Sequence, residues 1–389
     1  MKINRIYKGF CLILLISALL CTGVTAYSSP EAIVAASKVY ISSVTSDPGT
    51  FFTGDTGTIT FSVANANTND SSVVSHVTLG GNDIQLTSLP YDSTTHLGPL
   101  QTQKFIFSVV ANAKDGIYYP TFSLSFRDAD NLFYRPMVQV ENRPLELTII
   151  DKPDAFTQGK KKTINLQVAN PRKGDVRNVI LDVAGDGITA TPSRTFIGNL
   201  SAGGKIPVNV SITPDKETPL HLTLTYDNGN NPHLVSMDIP ITFGVDKKQA
   251  DPVMSNVKVT TEGGIYHVTG DINNAGLDTA NTVTVTSLAP AIPQDPYKTY
   301  VVGALKADDF GGFEVTFDTD GSTSIPIQMT FKDSDGNLYN SVQNVTVPSN
   351  SLGVTTASNG PPVIPVLAAL VLIAALVGGW YFYIRKSKK

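Results

Sequence analysis

The chain has 389 residues, 41% of them hydrophobic, and carries 29 Lys+Arg against 33 Asp+Glu for a formal net charge of −4. Its two cysteines, Cys11 and Cys21, both fall within residues 1–26. The rest of the chain therefore has no disulfide staple, cysteine nucleophile or thiolate metal site. Seven of the basic residues lie in the two termini and no acid does, so residues 27–362 keep 22 bases against 33 acids, a formal charge of −11. Such an acidic body repels polyanions, which disfavours nucleic acid as a partner.

Residues 1–26 read as a secretory signal. Lys2, Arg5 and Lys8 form the basic start, Phe10 to Leu20 a short apolar core, and Val24-Thr25-Ala26 the small-residue cleavage pattern. The body that follows is rich in Asp and poor in Glu, with only six Glu among the 33 acids. Asp favours turns and caps while Glu favours helices, so this bias points to strands joined by many turns.

Three anchors recur in the same order at a period near 100 residues. The first is a strand ending in asparagine, at Asn65, Asn170 and Asn274. The second is a G-x-L step, at Gly98-Pro99-Leu100, Gly198-Asn199-Leu200 and Gly303-Ala304-Leu305. The third is a polar hairpin after an alternating strand, at Asp128, Asp227 and Lys332. Alternating runs such as Thr58 to Val63, Val208 to Ile212 and Ile325 to Phe331 mark strands with one face buried. About seven short strands per 100 residues is the size of an immunoglobulin-like β-sandwich. The expected units are 38–142, 145–246 and 252–348, joined by short polar linkers that carry proline.

Residues 349–362 form a Ser/Thr/Gly/Pro stalk, and Val363 to Ile384 follows without a charge. At about 1.5 Å per residue that segment makes a helix of roughly 33 Å, long enough to cross a bilayer. Trp380, Tyr381 and Tyr383 supply an interfacial aromatic belt, and Arg385 and Lys386 open a basic tail, 385–389. The positive-inside rule puts that tail in the cytoplasm and the body of the chain outside. Small residues at Ala374, Ala375, Gly378 and Gly379 would let two such helices pack and self-associate.

The opening V-Y-I-S-S-V-T-S-D-P-G-T-F-F-T-G-D-T-G-T-I-T-F-S-V-A-N, the G-x-L step and the F-x-D-x-D-G-N hairpin resemble the S-layer-domain-like proteins of archaeal envelopes. These are β-sandwich repeats close to the CARDB cell-adhesion-type modules. The resemblance runs over residues 38 to 348 with the signal and the anchor. It implies an extracellular, membrane-anchored envelope protein without common catalytic residues, from a group in which some members accompany transporter components. The chain departs from antibody-type domains in lacking their Cys…Trp…Cys core, since its only tryptophan is Trp380.

The hairpin residues Asp128, Asp130 and Asn131, and Asp333, Asp335 and Asn337, have the D-x-D-x-N look of a Ca²⁺ loop of hard oxygen ligands. They lack the glycine and glutamate of an EF-hand, and Asp and Asn equally serve a tight turn's own backbone. Four N-x-S/T sequons, at Asn69, Asn199, Asn209 and Asn344, are candidate glycan acceptors. The five histidines are scattered, and no nucleophile elbow or phosphate loop is present. Lys160-Lys161-Lys162 reads as a solvated turn, and Tyr118, Tyr119, Tyr297 and Tyr300 as possible sugar platforms.

The sequence thus predicts an all-β protein of three tandem immunoglobulin-like β-sandwiches plus one C-terminal transmembrane helix. The expected role is a non-enzymatic structural or adhesion protein of the cell envelope, with no cofactor beyond a structural Ca²⁺. Its expected partners are the membrane and envelope proteins or polymers. The alternative is an accessory or ligand-binding ectodomain beside transporter subunits, which needs a pocket between domains. A surface hydrolase would need converging carboxylates or a Ser/His pair.

Overall fold

The computed structural model describes residues 29–348. The expected signal (1–26), stalk (349–362), anchor (363–384) and tail (385–389) lie outside the described residues, with Trp380, Tyr381, Tyr383, Arg385 and Lys386. Among the described residues no helix is long and apolar enough to cross a membrane. A single helix turn pair, α1 (Pro30–Ala36), precedes the first strand. Ser29 caps it by accepting from the Ala32 N–H at 3.0 Å, and Pro30 stands in the first turn, where its missing N–H costs nothing. Ala35 is its buried residue.

The rest is strand, arranged in three successive units of two four-stranded antiparallel sheets. In the first unit one sheet runs β1 (Val39–Asp47), β2 (Thr56–Asn65), β6 (Thr102–Ala111), β4 (Ile84–Leu86). The other runs β5 (Thr95–Leu97), β3 (Ser72–Gly80), β8 (Thr121–Phe126), β9 (Leu132–Tyr134), and β7 (Gly116–Tyr118) pairs separately with β10 (Val138–Val140). The second unit repeats the order as β11 (Glu146–Asp151), β12 (Lys162–Ala169), β16 (Lys205–Pro214), β14 (Ile188–Thr191). Its other sheet is β15 (Arg194–Leu200), β13 (Val176–Ala184), β17 (Leu220–Asn228), β18 (Asn231–Ile239). The third unit has β19 (Pro252–Glu262), β20 (Ile265–Asn274), β24 (Phe310–Thr319), β22 (Ala291–Pro293). It closes with β23 (Thr299–Leu305), β21 (Ala280–Ser287), β25 (Ser324–Lys332), β26 (Leu338–Thr346).

Each unit therefore has eight strands in its two main sheets rather than seven. The additional ones, β4, β14 and β22, have three or four residues, too few to show an alternation. Inward positions of the long strands meet between the sheets and exclude water, which is what holds each unit together. Ile59, Phe61 and Val63 on β2 are at most 1% exposed. Phe61 stacks on Phe122 of the opposite sheet at 4.2 Å between ring centres. The second unit fills the same space with Ile164, Leu166, Leu222 and Leu224, and the third with Val268, Phe317, Ile325 and Ile327.

The asparagine anchors explain the repeat. Asn65, Asn170 and Asn274 are 2%, 1% and 1% exposed. Each amide donates to three carbonyls. Asn170 Nδ2 reaches Gly174 O at 2.9 Å, Leu200 O at 3.0 Å and Ser201 O at 3.1 Å. Asn65 does the same with Asp70, Leu97 and Gly98, and Asn274 with Asp278, Leu305 and Lys306. The Oδ1 accepts the backbone N–H two residues on, at Asn67, Arg172 and Gly276. One side chain thus ties the corner to the buried leucine that ends β5, β15 or β23, at Leu97, Leu200 and Leu305, satisfying carbonyls that the fold buries. In the second and third units that leucine closes the G-x-L step, whereas in the first it precedes Gly98-Pro99-Leu100, whose Leu100 is 69% exposed.

Candidate functional site: two repeated interdomain clamps

The units meet through one device used twice. Between β1 and β2, and between β11 and β12, the chain makes a loop of pattern F-x-x-G, Phe51 to Gly54 and Phe156 to Gly159. Both phenylalanines are buried, and both are laced by the segment that leaves their own unit. Phe51 exchanges backbone hydrogen bonds with Gln139 and Glu141, and Phe156 with Thr242 and Gly244. Gly54 at φ 89° and Gly159 at φ 68° then turn the chain through the left-handed region that glycine enters at least cost. Their N–H groups donate to Ala111 O at 2.7 Å and Pro214 O at 2.9 Å. Two residues later each loop presents the N–H and C=O of one residue, Thr56 or Lys161, to the next domain.

The next domain's hairpin takes that residue with an asparagine. Asn231 Oδ1 accepts Thr56 N–H at 3.0 Å while its Nδ2 donates to Thr56 O at 2.8 Å. Asn337 Oδ1 accepts Lys161 N–H at 2.8 Å while its Nδ2 donates to Lys161 O at 2.6 Å. Asn231 closes the β17–β18 hairpin and Asn337 the β25–β26 hairpin, so the two grips are structurally equivalent.

The chemistry around each grip differs. At the first junction Asp55, 4% exposed, accepts from the Asn228 amide at 2.6 Å and from Phe52 N–H at 3.0 Å, and contacts His233 Nε2 at 3.0 Å. Phe52 of the first unit packs into the core of the second and lies 4.1 Å from the His233 ring. Arg172, 1% exposed, has its guanidinium 3.6 Å from the centre of the Phe52 ring and donates to Thr50 O, Glu141 O and Arg143 O. Burial lowers the Arg172 pKa against the pull of nearby charges. Gly276 occupies the corresponding corner position in the third unit. A Cβ there would fall 2.2 Å from Gln249 O, so only glycine lets the second linker approach.

At the second junction Lys162, 5% exposed, meets Asp333 at 3.1 Å and Asp335 at 3.7 Å. Thr163 donates to Asp335 at 2.6 Å, and Lys160 donates to Leu338 O at 2.8 Å with its ammonium 4.8 Å from the Tyr339 ring centre. Burial pushes the Asp333 carboxyl up, but bonds from the Asn337 amide and N–H and the Lys162 ammonium more than offset it, leaving Asp333 below the ordinary carboxylate range. The Tyr339 hydroxyl, buried beside that carboxylate, is pushed up strongly.

A polar cleft of about 440 Å³ opens beside the second clamp, lined by Asp151, Lys162, Asp246, Lys248, Asp278 and Asp335 among others. A cleft of about 550 Å³ beside the first is lined by Asp47, Lys173, Asp175, Arg177 and Asn199 among others.

The structure thus redefines two readings. The Lys160–Lys162 run, expected to be a solvated turn, is the clamp's basic half. Lys162 is buried, because it shares the inward parity of Ile164 and Leu166 on β12. Asp333, Asp335 and Asn337 converge on that lysine and its backbone, whereas Asp128, Asp130 and Asn131 stand exposed on the β8–β9 hairpin. Among the described residues no group of three or more His, Cys, Asp or Glu is arranged for a metal ion. The sequon residues Asn69, Asn199, Asn209 and Asn344 are all exposed. Asp55 and Arg172 carry no local signal in the sequence, whereas Asn231 has one, the asparagine that ends all three hairpins, at 131, 231 and 337.

Residues 144–231, the middle sandwich up to the start of β18, match the CARDB family, which makes this a CARDB-type segment among described residues whose regular elements are all strands apart from α1. The chain is similar to the uncharacterized protein MJ0795 of Methanocaldococcus jannaschii, with 25% identity over 288 residues. That alignment covers 67% of this chain and 56% of the relative, so the chain spans only about half of its length. Among solved structures, red sea bream transglutaminase aligns with 52% of this chain and 31% of its own at 12% identity and a TM-score of 0.21, too slight a likeness to bear on fold or function.

Proposed function

We propose that the protein is a non-enzymatic structural or adhesive component of the cell envelope, in which three sandwiches clamped in series project from a single C-terminal membrane anchor. The observation that carries this reading is the paired grip of Asn231 on Thr56 and Asn337 on Lys161. Repeating one locked joint fixes successive domains relative to each other, which is the requirement of a spacer and not of a flexible tether. The polar side chains gathered at both joints are spent on joining domains. The CARDB-type middle domain and the apolar segment 363–384 agree with an exported, anchored protein.

Fractionation of the source cells tests this. The chain is expected in the membrane fraction and to be cut by protease added outside intact cells. Recovery in the soluble interior, protected from that protease, contradicts it.

The clefts beside the clamps favour one second reading, an accessory or solute-binding ectodomain of a membrane transport system. Co-purification of permease or ATPase subunits with the anchored chain, together with saturable binding of a small polar solute, would favour that reading.

A further inference from the structure

The three units do not use their hairpins equally. Those of the second and third units each hold the F-x-x-G loop of the unit before. The β8–β9 hairpin of the first unit is the same element in the same sheet position, yet nothing among the described residues occupies it. Asp128, Asp130 and Asn131 are exposed on it and make no side-chain hydrogen bond to any described residue, and Phe133 is 62% exposed.

Its chemistry can be read from its two occupied copies. The segment Asp128-Ala129-Asp130-Asn131-Leu132-Phe133 parallels Asp333-Ser334-Asp335-Gly336-Asn337-Leu338-Tyr339, with one residue fewer. In sequence order Asp128 stands at Asp333, Asp130 at Asp335, Asn131 at Asn337 and Phe133 at Tyr339, although β9 pairs three residues out of that register, with Phe133 opposite Ser123 where Tyr339 lies opposite Phe331. In the third unit those residues hold, in turn, the Lys162 ammonium, the Thr163 hydroxyl, the Lys161 backbone, and the Lys160 ammonium over the ring. The second unit's hairpin, which receives the acidic Asp55 loop, carries Asn228 and His233 instead. The free hairpin therefore has the acidic pattern that accepts a basic loop.

We infer that the β8–β9 hairpin is a docking site for a lysine-bearing F-x-x-G loop of another β-sandwich protein, held by Asn131 on its backbone and by Asp128 and Asp130 on its lysine. A second copy of this chain is a poor occupant. Both of its F-x-x-G loops are already held within their own molecule. In its third unit a two-residue Gly263-Gly264 turn joins β19 to β20, where the other units have the loop. This inference goes beyond the envelope role and stands on the clamp geometry alone.

The test uses the full chain in detergent and a fluorescently labelled, cyclised peptide with the sequence of Phe156 to Ile164, followed by anisotropy. Saturable binding is expected, weakened at least tenfold by Asn131→Ala and by Lys→Glu at the peptide position of Lys162. Asn131 is exposed, so its replacement leaves the core intact, and an unchanged melting temperature checks that. Absence of saturable binding at millimolar peptide, or equal binding by Asn131→Ala, would overturn the inference. So would Asn131-dependent dimerisation of the chain alone, which assigns the hairpin to a second copy. Calcium binding at Asp128 and Asp130 that blocks the peptide would assign it to a cation.

Discussion

Asn337 holds both polar groups of the Lys161 backbone, through Oδ1 at 2.8 Å and Nδ2 at 2.6 Å, as Asn231 holds those of Thr56 one domain earlier. An amide side chain is the smallest group that offers a donor and an acceptor side by side, so it pairs with one residue's N–H and C=O as a neighbouring strand would. Asn337→Ala removes two hydrogen bonds across the joint, each contributing about 0.5–1.5 kcal/mol, besides the amide's bond to Asp333 within its own unit, so the domain 2–3 joint should weaken by roughly 1–3 kcal/mol. Hydrogen exchange at the Lys161 N–H is the direct reading, and unchanged protection there would refute the grip.

Lys162 and Asp333 form a buried ion pair, with side chains 6% and 2% exposed. Removing one partner strands the other charge away from water, which costs about 3–5 kcal/mol, while replacing both with apolar groups is often neutral. Lys162→Met alone should lower the melting temperature more than Lys162→Met with Asp333→Asn, which removes the stranded charge and keeps an acceptor for the Asn337 N–H. A double replacement worse than the single one would argue against the pair.

Acid should open the same joint. The folded Asp333 carboxyl titrates below its unfolded value of about 3.9, so it stabilises the folded form fully above that value. That contribution is lost as pH falls from about 4 through the depressed folded value. Asp333→Asn should show a shallower loss of stability over this range than the parent chain. Parallel curves would mean that Asp333 does not carry the dependence.

The corner asparagines predict a different phenotype. Asn170→Ala leaves the carbonyls of Gly174, Leu200 and Ser201 without their donor inside the second unit. Buried unpaired groups cost about 1–3 kcal/mol each, and partial relaxation brings the expected loss to roughly 2–4 kcal/mol. Chemical denaturation with a probe in each unit should show the second unit unfolding earlier while the third keeps its midpoint.

Much of this architecture is legible in the chain. Val, Ile, Thr and aromatic alternation marks the long strands, because side chains of period two must choose between core and water. The asparagine recurs because one hydrogen-bond network needs it in every copy, tied to the leucine that ends β5, β15 and β23; only in the second and third copies does that leucine belong to the G-x-L step. The joints are harder to read, since Asn337 and Lys161 are 176 residues apart and no local periodicity links them. Lys162 held the available clue, a charge at an inward position of an alternating strand, which burial tolerates only with a partner. The acids of Asp333 and Asp335 resembled ion ligands because a lysine ammonium and a metal cation ask for the same oxygens.

Two clamps of this kind hold the three domains in one arrangement. Pulsed electron spin resonance can measure it, with one nitroxide on an exposed strand position of the second unit and one on the third. A single narrow distance distribution is expected in the parent chain, broadening in the Asn337→Ala, Lys162→Ala double variant. A broad distribution in the parent chain, unchanged in that variant, would contradict it.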